Sequence, residues 1–92
     1  MIKSFKHKGL EIFFYDGIKK GIRPEHADKI SRILDRLNAA NDIMDMNYPG
    51  SYLHKLSGKL KNQFSVRVSK NWRIFFKFMD GDAYVVDYDD YH

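Results

Sequence analysis

The sequence predicts an α+β domain in which helices lie on one face of an antiparallel strand meander, and three patterns carry that prediction. Apolar residues recur at spacings of three and four between Ala27 and Ala40. From Phe64 onward they alternate with polar ones, and an Asp80-Gly81 pair divides that alternating stretch. A chain of 92 residues has room for one core, so a single domain over residues 1–92 is expected. With 43% hydrophobic and 15% aromatic residues, it has the apolar surface needed to offset chain entropy, which excludes a disordered chain.

Met1 to Lys6 reads as a short first strand, followed by a brief helix over Leu10 to Tyr15 that Gly17 ends. Gly21 and Pro24 reset the chain, and Pro24 suits the first turn of a second helix. Ala27, Ile30, Ile33, Leu34, Leu37 and Ala40 make one apolar stripe along that helix. Its other side carries Lys29, Arg32 and Arg36 as a solvated face, on which Asp28 can pair with Arg32 one turn on. A helical turn around Asp42 to Met46 follows, and Asn47 to Ser51, with Tyr48, Pro49 and Gly50, reads as a loop into the sheet.

The period then becomes two. Phe64, Val66 and Val68 alternate with Ser65, Arg67 and Ser69, and Trp72, Ile74, Phe76 and Phe78 alternate with Arg73, Phe75 and Lys77. Asp80-Gly81 supplies the positive φ of a tight hairpin, so a last strand runs from Ala83 toward the C-terminus, completing a meander of three or four strands. If Ser69-Lys70-Asn71 is a three-residue turn, Val68 faces Trp72, Val66 faces Ile74 and Phe64 faces Phe76, which gathers the apolar residues on one side.

That register sets Arg67 opposite Arg73 on the other face, where like charges about 5 Å apart repel by roughly 3 kcal/mol at an effective dielectric of 20. Either Asp87 or Asp89 on the last strand neutralises Arg73, or the pair clamps a phosphate, for which the fork of guanidinium donors is suited. Near this face, Tyr52 to Lys61 combines His54 with Lys55, Lys59 and Lys61. The chain closes on Asp87-Tyr88-Asp89-Asp90-Tyr91-His92.

Cysteine is absent, so disulfide frameworks and thiolate metal sites are excluded. No apolar leader or membrane-length run is present, and a cytoplasmic location is expected. The formal charge of +4 favours anionic partners without naming the anion. The acidic and aromatic tail lacks the spacing of recognised metal motifs, so no metal and no other cofactor is expected.

Taken in order, Ser65-Val66-Arg67-Val68, Asn71-Trp72-Arg73-Ile74, a hairpin with Gly81 and a terminal Asp90-Tyr91-His92 resemble the HigB branch of the RelE toxin superfamily. The opening Met1-Ile2-Lys3-Ser4-Phe5 resembles it too, so the likeness covers nearly the whole chain. The resemblance implies a RelE-like fold of the microbial-ribonuclease type and an mRNA interferase: a ribosome-dependent, metal-independent endoribonuclease that cuts messenger RNA in the ribosomal A site and so inhibits translation. It implies His54, Asp90, Tyr91, His92 and Arg73 as the catalytic group, with Arg67 and Arg73 as phosphate ligands. A lysine is common in the family where this chain has Ser57, so phosphate contacts there shift to Lys55, Lys59 or Lys61. The implied partners are a HigA-like helix-turn-helix antitoxin, the ribosome and messenger RNA. No membrane is involved, and DNA is reached only through the antitoxin.

Such chemistry needs a base for the ribose 2′-hydroxyl, cations for the charged phosphorane and an acid for the departing 5′-oxygen, and imidazole serves as base or acid near neutrality. Two other readings fit the same residues. A non-catalytic basic module would hold RNA phosphates without cutting, and a protein-binding domain would use its exposed aromatic and Met side chains.

Overall fold

The computed structural model describes residues 1–59 and 61–90. Helix α1 spans Lys8–Asp16. It starts where the His7 ring accepts the Leu10 amide, and it stops at Gly17, whose φ of 72° closes a left-handed cap. Helix α2 spans Ala27–Ala39, entered through a 3-10 turn at Pro24–His26, and buries Ala27, Ile30, Ile33, Leu34 and Leu37 as the stripe demands. On its solvent side Arg36 lies over the Tyr48 ring at 4.5 Å. The expected Asp28–Arg32 pair does not form among the described residues, in keeping with how little an exposed pair contributes. Asp42 caps a 3-10 turn at Ile43–Met46 in a reciprocal capping box with Asp45.

Four strands form one antiparallel sheet in chain order: β1 (His54–Lys55), β2 (Gln63–Ser69), β3 (Trp72–Met79) and β4 (Asp82–Asp90). Asp80 and Gly81, both at positive φ, make the two-residue hairpin between Met79 and Asp82. The N-terminal segment adds to the far edge of β4 in parallel, through isolated bridges at Ile2–Ala83 and Phe5–Val86 rather than as a continuous strand. Both helices pack on the sheet face that carries Val66, Val68, Ile74, Phe76, Val86 and Tyr88, and together these residues form the core.

One expectation of register is corrected. Val66 faces Ile74 and Phe64 faces Phe76 as the burial pattern requires, but Ser69, not Val68, stands opposite Trp72. The turn is shorter by one residue: Lys70 takes φ 40° in a two-residue loop, and Val68 is absorbed in an irregularity between Arg67 and Ser69. A tight turn follows the twist of the strands, and the irregularity restores the register beyond it. Ser69 is thereby brought to the end of the sheet next to the start of α2.

On the face opposite the helices Gln63, Arg67, Arg73, Phe75 and Lys77 are half-buried and Ser65 is buried. Among the described residues, no helix is long and apolar enough to cross a membrane.

Candidate active site

Cross-strand partners share a face, so the register builds the side of the sheet opposite the helices row by row. One row reads Arg67 on β2, Arg73 on β3 and Asp89 on β4; the next reads His54 on β1, Ser65, Phe75 and Asp87. The Arg67–Arg73 juxtaposition expected from sequence is therefore present.

How the fold accommodates the two cations is less obvious. The Arg73 guanidinium donates from Nε to Ser65 Oγ at 2.8 Å and from Nη2 to the Tyr52 carbonyl at 2.6 Å. Arg67 lies over the ring of that same Tyr52, 5.1 Å from its centroid. Tyr52 thus engages both arginines, one through its carbonyl and one through the negative face of its ring, which offsets the repulsion between them. Its φ of 47° turns the chain so that the loop reaches back over β2, and the Arg67 amide fastens the loop by donating to the Ser51 carbonyl at 2.8 Å. The carboxylates expected beside Arg73 are engaged elsewhere as well. Asp89 stands opposite it in register while its Oδ1 accepts the Asp90 amide, and Asp87 lies 3.9 Å from Lys6 Nζ.

His54 is exposed and lies between two grooves. One, of about 470 Å³, is lined by Tyr52, Leu53, Ser65 and Arg73; the other, of about 370 Å³, is lined by Lys6, Gln63, Phe75 and Asp89. The structure therefore brings an imidazole, a guanidinium and a carboxylate to one strip of surface. Lys55 and Lys61 line an adjoining hollow with Gly58 and with Leu56 and Ser57, which also line the second groove, and Lys59 is exposed on the adjoining turn, so these lysines flank the strip. Asp90 ends β4 in register with Trp72; one residue past Asp89, it falls on the face of Tyr88 and Ile74 rather than on that of the arginine row. Tyr91 and His92 lie outside the described residues.

Two participants were not singled out from sequence. Tyr52 carried no signal beyond its place two residues before His54. His26 did carry one, since it precedes Ile30 by four and Ile33 by seven and so falls on the apolar stripe. It is buried at 4% exposure, with Nδ1 2.6 Å from the Tyr88 hydroxyl and Nε2 2.8 Å from Ser69 Oγ. Burial holds its imidazole below the ordinary value, because charging it inside the fold forfeits hydration, and burial likewise raises the Tyr88 phenol.

The sequence was compared with known proteins. A family model described as HigB-like toxin, the RelE-like toxin of the type II toxin-antitoxin system HigB, matches residues 3–92. "Endoribonuclease HigB" of Proteus vulgaris is 42% identical over 92 residues, covering all of both chains. "Toxin HigB-1" of Vibrio cholerae serotype O1 is 35% identical over 85 residues, 90% of each.

Proposed function

This chain belongs to the HigB-like, RelE-like toxins of type II toxin-antitoxin systems, and we propose that it is an endoribonuclease that cuts messenger RNA on the ribosome by metal-independent attack of the ribose 2′-hydroxyl. The observation that carries the reading is the strip on which His54 shares a groove with Arg73, itself paired in register with Arg67. It lies on the face opposite the helices, in a chain similar from end to end to a protein named as an endoribonuclease.

In the proposed reaction a histidine takes the proton of the 2′-hydroxyl, and the oxygen attacks phosphorus. The bond to the 5′-oxygen breaks as a second group returns a proton to that oxygen, leaving a 2′,3′-cyclic phosphate and a free 5′-hydroxyl. His54 and His92 take the two proton-transfer roles. Arg67 and Arg73 stabilise the additional negative charge of the phosphorane, an electrostatic contribution that is generally the largest in such reactions. Asp90 orients a histidine, and Tyr91 stacks on a base or donates a hydrogen bond. Lys55, Lys59 and Lys61 hold flanking phosphates.

A toxin of this kind has an antitoxin partner. We assign that role to a HigA-like helix-turn-helix protein, and place the toxin in the cytoplasm at the ribosomal A site. The test is cleavage of a defined messenger RNA by purified protein, with and without ribosomes, followed by analysis of the new ends. Cyclic phosphate and 5′-hydroxyl ends formed only with ribosomes, unchanged by EDTA once ribosome integrity is controlled, support the reading. Cleavage of naked RNA that depends on added divalent metal overturns it.

A further inference from the structure

The buried histidine has no part in the chemistry proposed above, yet its surroundings lead straight to it. His26 joins three separate pieces of the fold: the entry to α2, the turn between β2 and β3 through Ser69, and the end of β4 through Tyr88. Its ring also packs against Trp72 at 5.6 Å, and Trp72 is held between Tyr88 at 4.7 Å and the Arg23 guanidinium at 5.5 Å. Trp72 is the register partner of both Ser69 and Asp90. The three side chains that His26 touches therefore border the row on which β4 ends.

The N-terminal segment covers the outer edge of β4 only as far as the Phe5–Val86 bridge. Beyond it, among the described residues, β4 is paired on one side alone, and Tyr88 is the last residue of the strand that the core buries. Tyr88 is contacted there by the His7 ring, 5.5 Å away, as well as by His26.

The Tyr88 and Ser69 hydroxyls can each donate or accept, so either ring nitrogen of His26 can carry the proton. Neutral His26 is thus satisfied at both nitrogens in either tautomer. An apolar side chain of similar volume would fill the space comparably well, so the polar chain contributes a defined geometry more than stability.

We propose that His26 is a positioning residue for RNA cleavage, holding Tyr88 and Ser69 and through them fixing the end of β4 that carries Asp89 and Asp90. The inference rests on the C-terminal group being catalytic, and small displacements of reacting groups are known to lower rates by one to two orders of magnitude.

The test measures single-turnover cleavage on programmed ribosomes, ribosome affinity and thermal unfolding for Tyr88→Phe, His26→Gln, His26→Asn, the Tyr88→Phe/His26→Gln pair and His92→Gln. Tyr88→Phe removes only the hydroxyl, and His26→Gln removes the polar group at the Nδ1 position that meets it. Each is expected to lower the cleavage rate about 10-fold with ribosome affinity within about twofold, and the pair no more than either alone. His26→Asn, whose amide keeps a polar group near the Nδ1 position, is expected to stay within about threefold of the parent. A folded Tyr88→Phe that cleaves at the parent rate overturns the proposal, and this variant decides the matter even if the His26 variants do not fold. Equal loss in His26→Asn and His26→Gln overturns it too, since a packing role alone would produce that. If His92→Gln retains full activity, the catalytic reading beneath the proposal has failed. If His92→Gln is inactive while Tyr88→Phe and His26→Gln are not, only the role of His26 has failed.

Discussion

Replacing Arg73 by alanine separates two duties that the fold assigns to one side chain. The guanidinium ties the loop before β1 to the sheet through Ser65 Oγ and the Tyr52 carbonyl, and Ser65 is 1% exposed. Truncation removes a charge-assisted hydrogen bond to the Ser65 hydroxyl, which costs about 1.5–3 kcal/mol; the exposed Tyr52 carbonyl adds at most about 1 kcal/mol, because water replaces the lost donor. Relief of the repulsion with Arg67 offsets a part of this, so a net loss of about 2–3 kcal/mol is expected, or roughly 10–20 °C in Tm for a domain of this size. Ser65→Ala keeps the charge but removes the Nε acceptor, and should lower Tm by roughly 4–10 °C. Differential scanning calorimetry, run beside a cleavage assay on ribosomes, reads both duties. The reasoning is refuted if Arg73→Ala melts within about 3 °C of the parent, because the side chain would then hold nothing in place.

Two further outcomes follow from the packing. A Cβ on Gly21 would lie 2.6 Å from Gly9 Cα, backbone against backbone, so Gly21→Ala should destabilise by about 1–3 kcal/mol in urea unfolding, and an unchanged midpoint would show that the two segments do not meet this closely. Burial holds His26 below its ordinary value despite Glu25, which opposes the shift, and Arg23 and Lys29, which add to it. The unfolded chain therefore takes up a proton before the folded one as pH falls through about 6.5, and stability should decline from there toward the folded value. His26→Gln should flatten that decline between pH 7 and 5.5, whereas parallel curves would remove His26 as its source. Glu25 and Asp45 are held below the ordinary carboxylate range, so what they contribute is lost only at lower pH.

The parts of the fold legible in sequence are those whose pattern is local and repeated. The α2 stripe, the β2 and β3 alternation and the Asp80-Gly81 hairpin all appear where periodicity and turn chemistry place them. From the alternation alone came the arginine pair, because burial of Val66 and Ile74 leaves no other register for Arg67 and Arg73. What sequence did not show depends on partners far along the chain. Strand β1 is two residues long and exists only because β2 lies beside it, and the N-terminal segment pairs with a strand some eighty residues later. Tyr52 binds both arginines through its carbonyl and ring, and no residue type announces that use. His26 was hidden by its chemistry, since an imidazole on an apolar stripe reads as polar until Tyr88 and Ser69 are seen to satisfy it.

The central claim, that this toxin cuts RNA with a metal-independent group completed at its C-terminal end, is tested most directly by His92→Gln. The described core is closed by Val86 and Tyr88 before that residue is reached, so the variant should unfold within a few degrees of the parent, whereas loss of a proton-transfer group lowers rates by about 100- to 10,000-fold. Cleavage on programmed ribosomes and growth after induction are measured at matched expression. The account predicts a folded protein that no longer cuts messenger RNA or arrests growth. A His92→Gln protein that cleaves and arrests growth like the parent contradicts it, and places the chemistry at His54 and the arginine row without the C-terminal group.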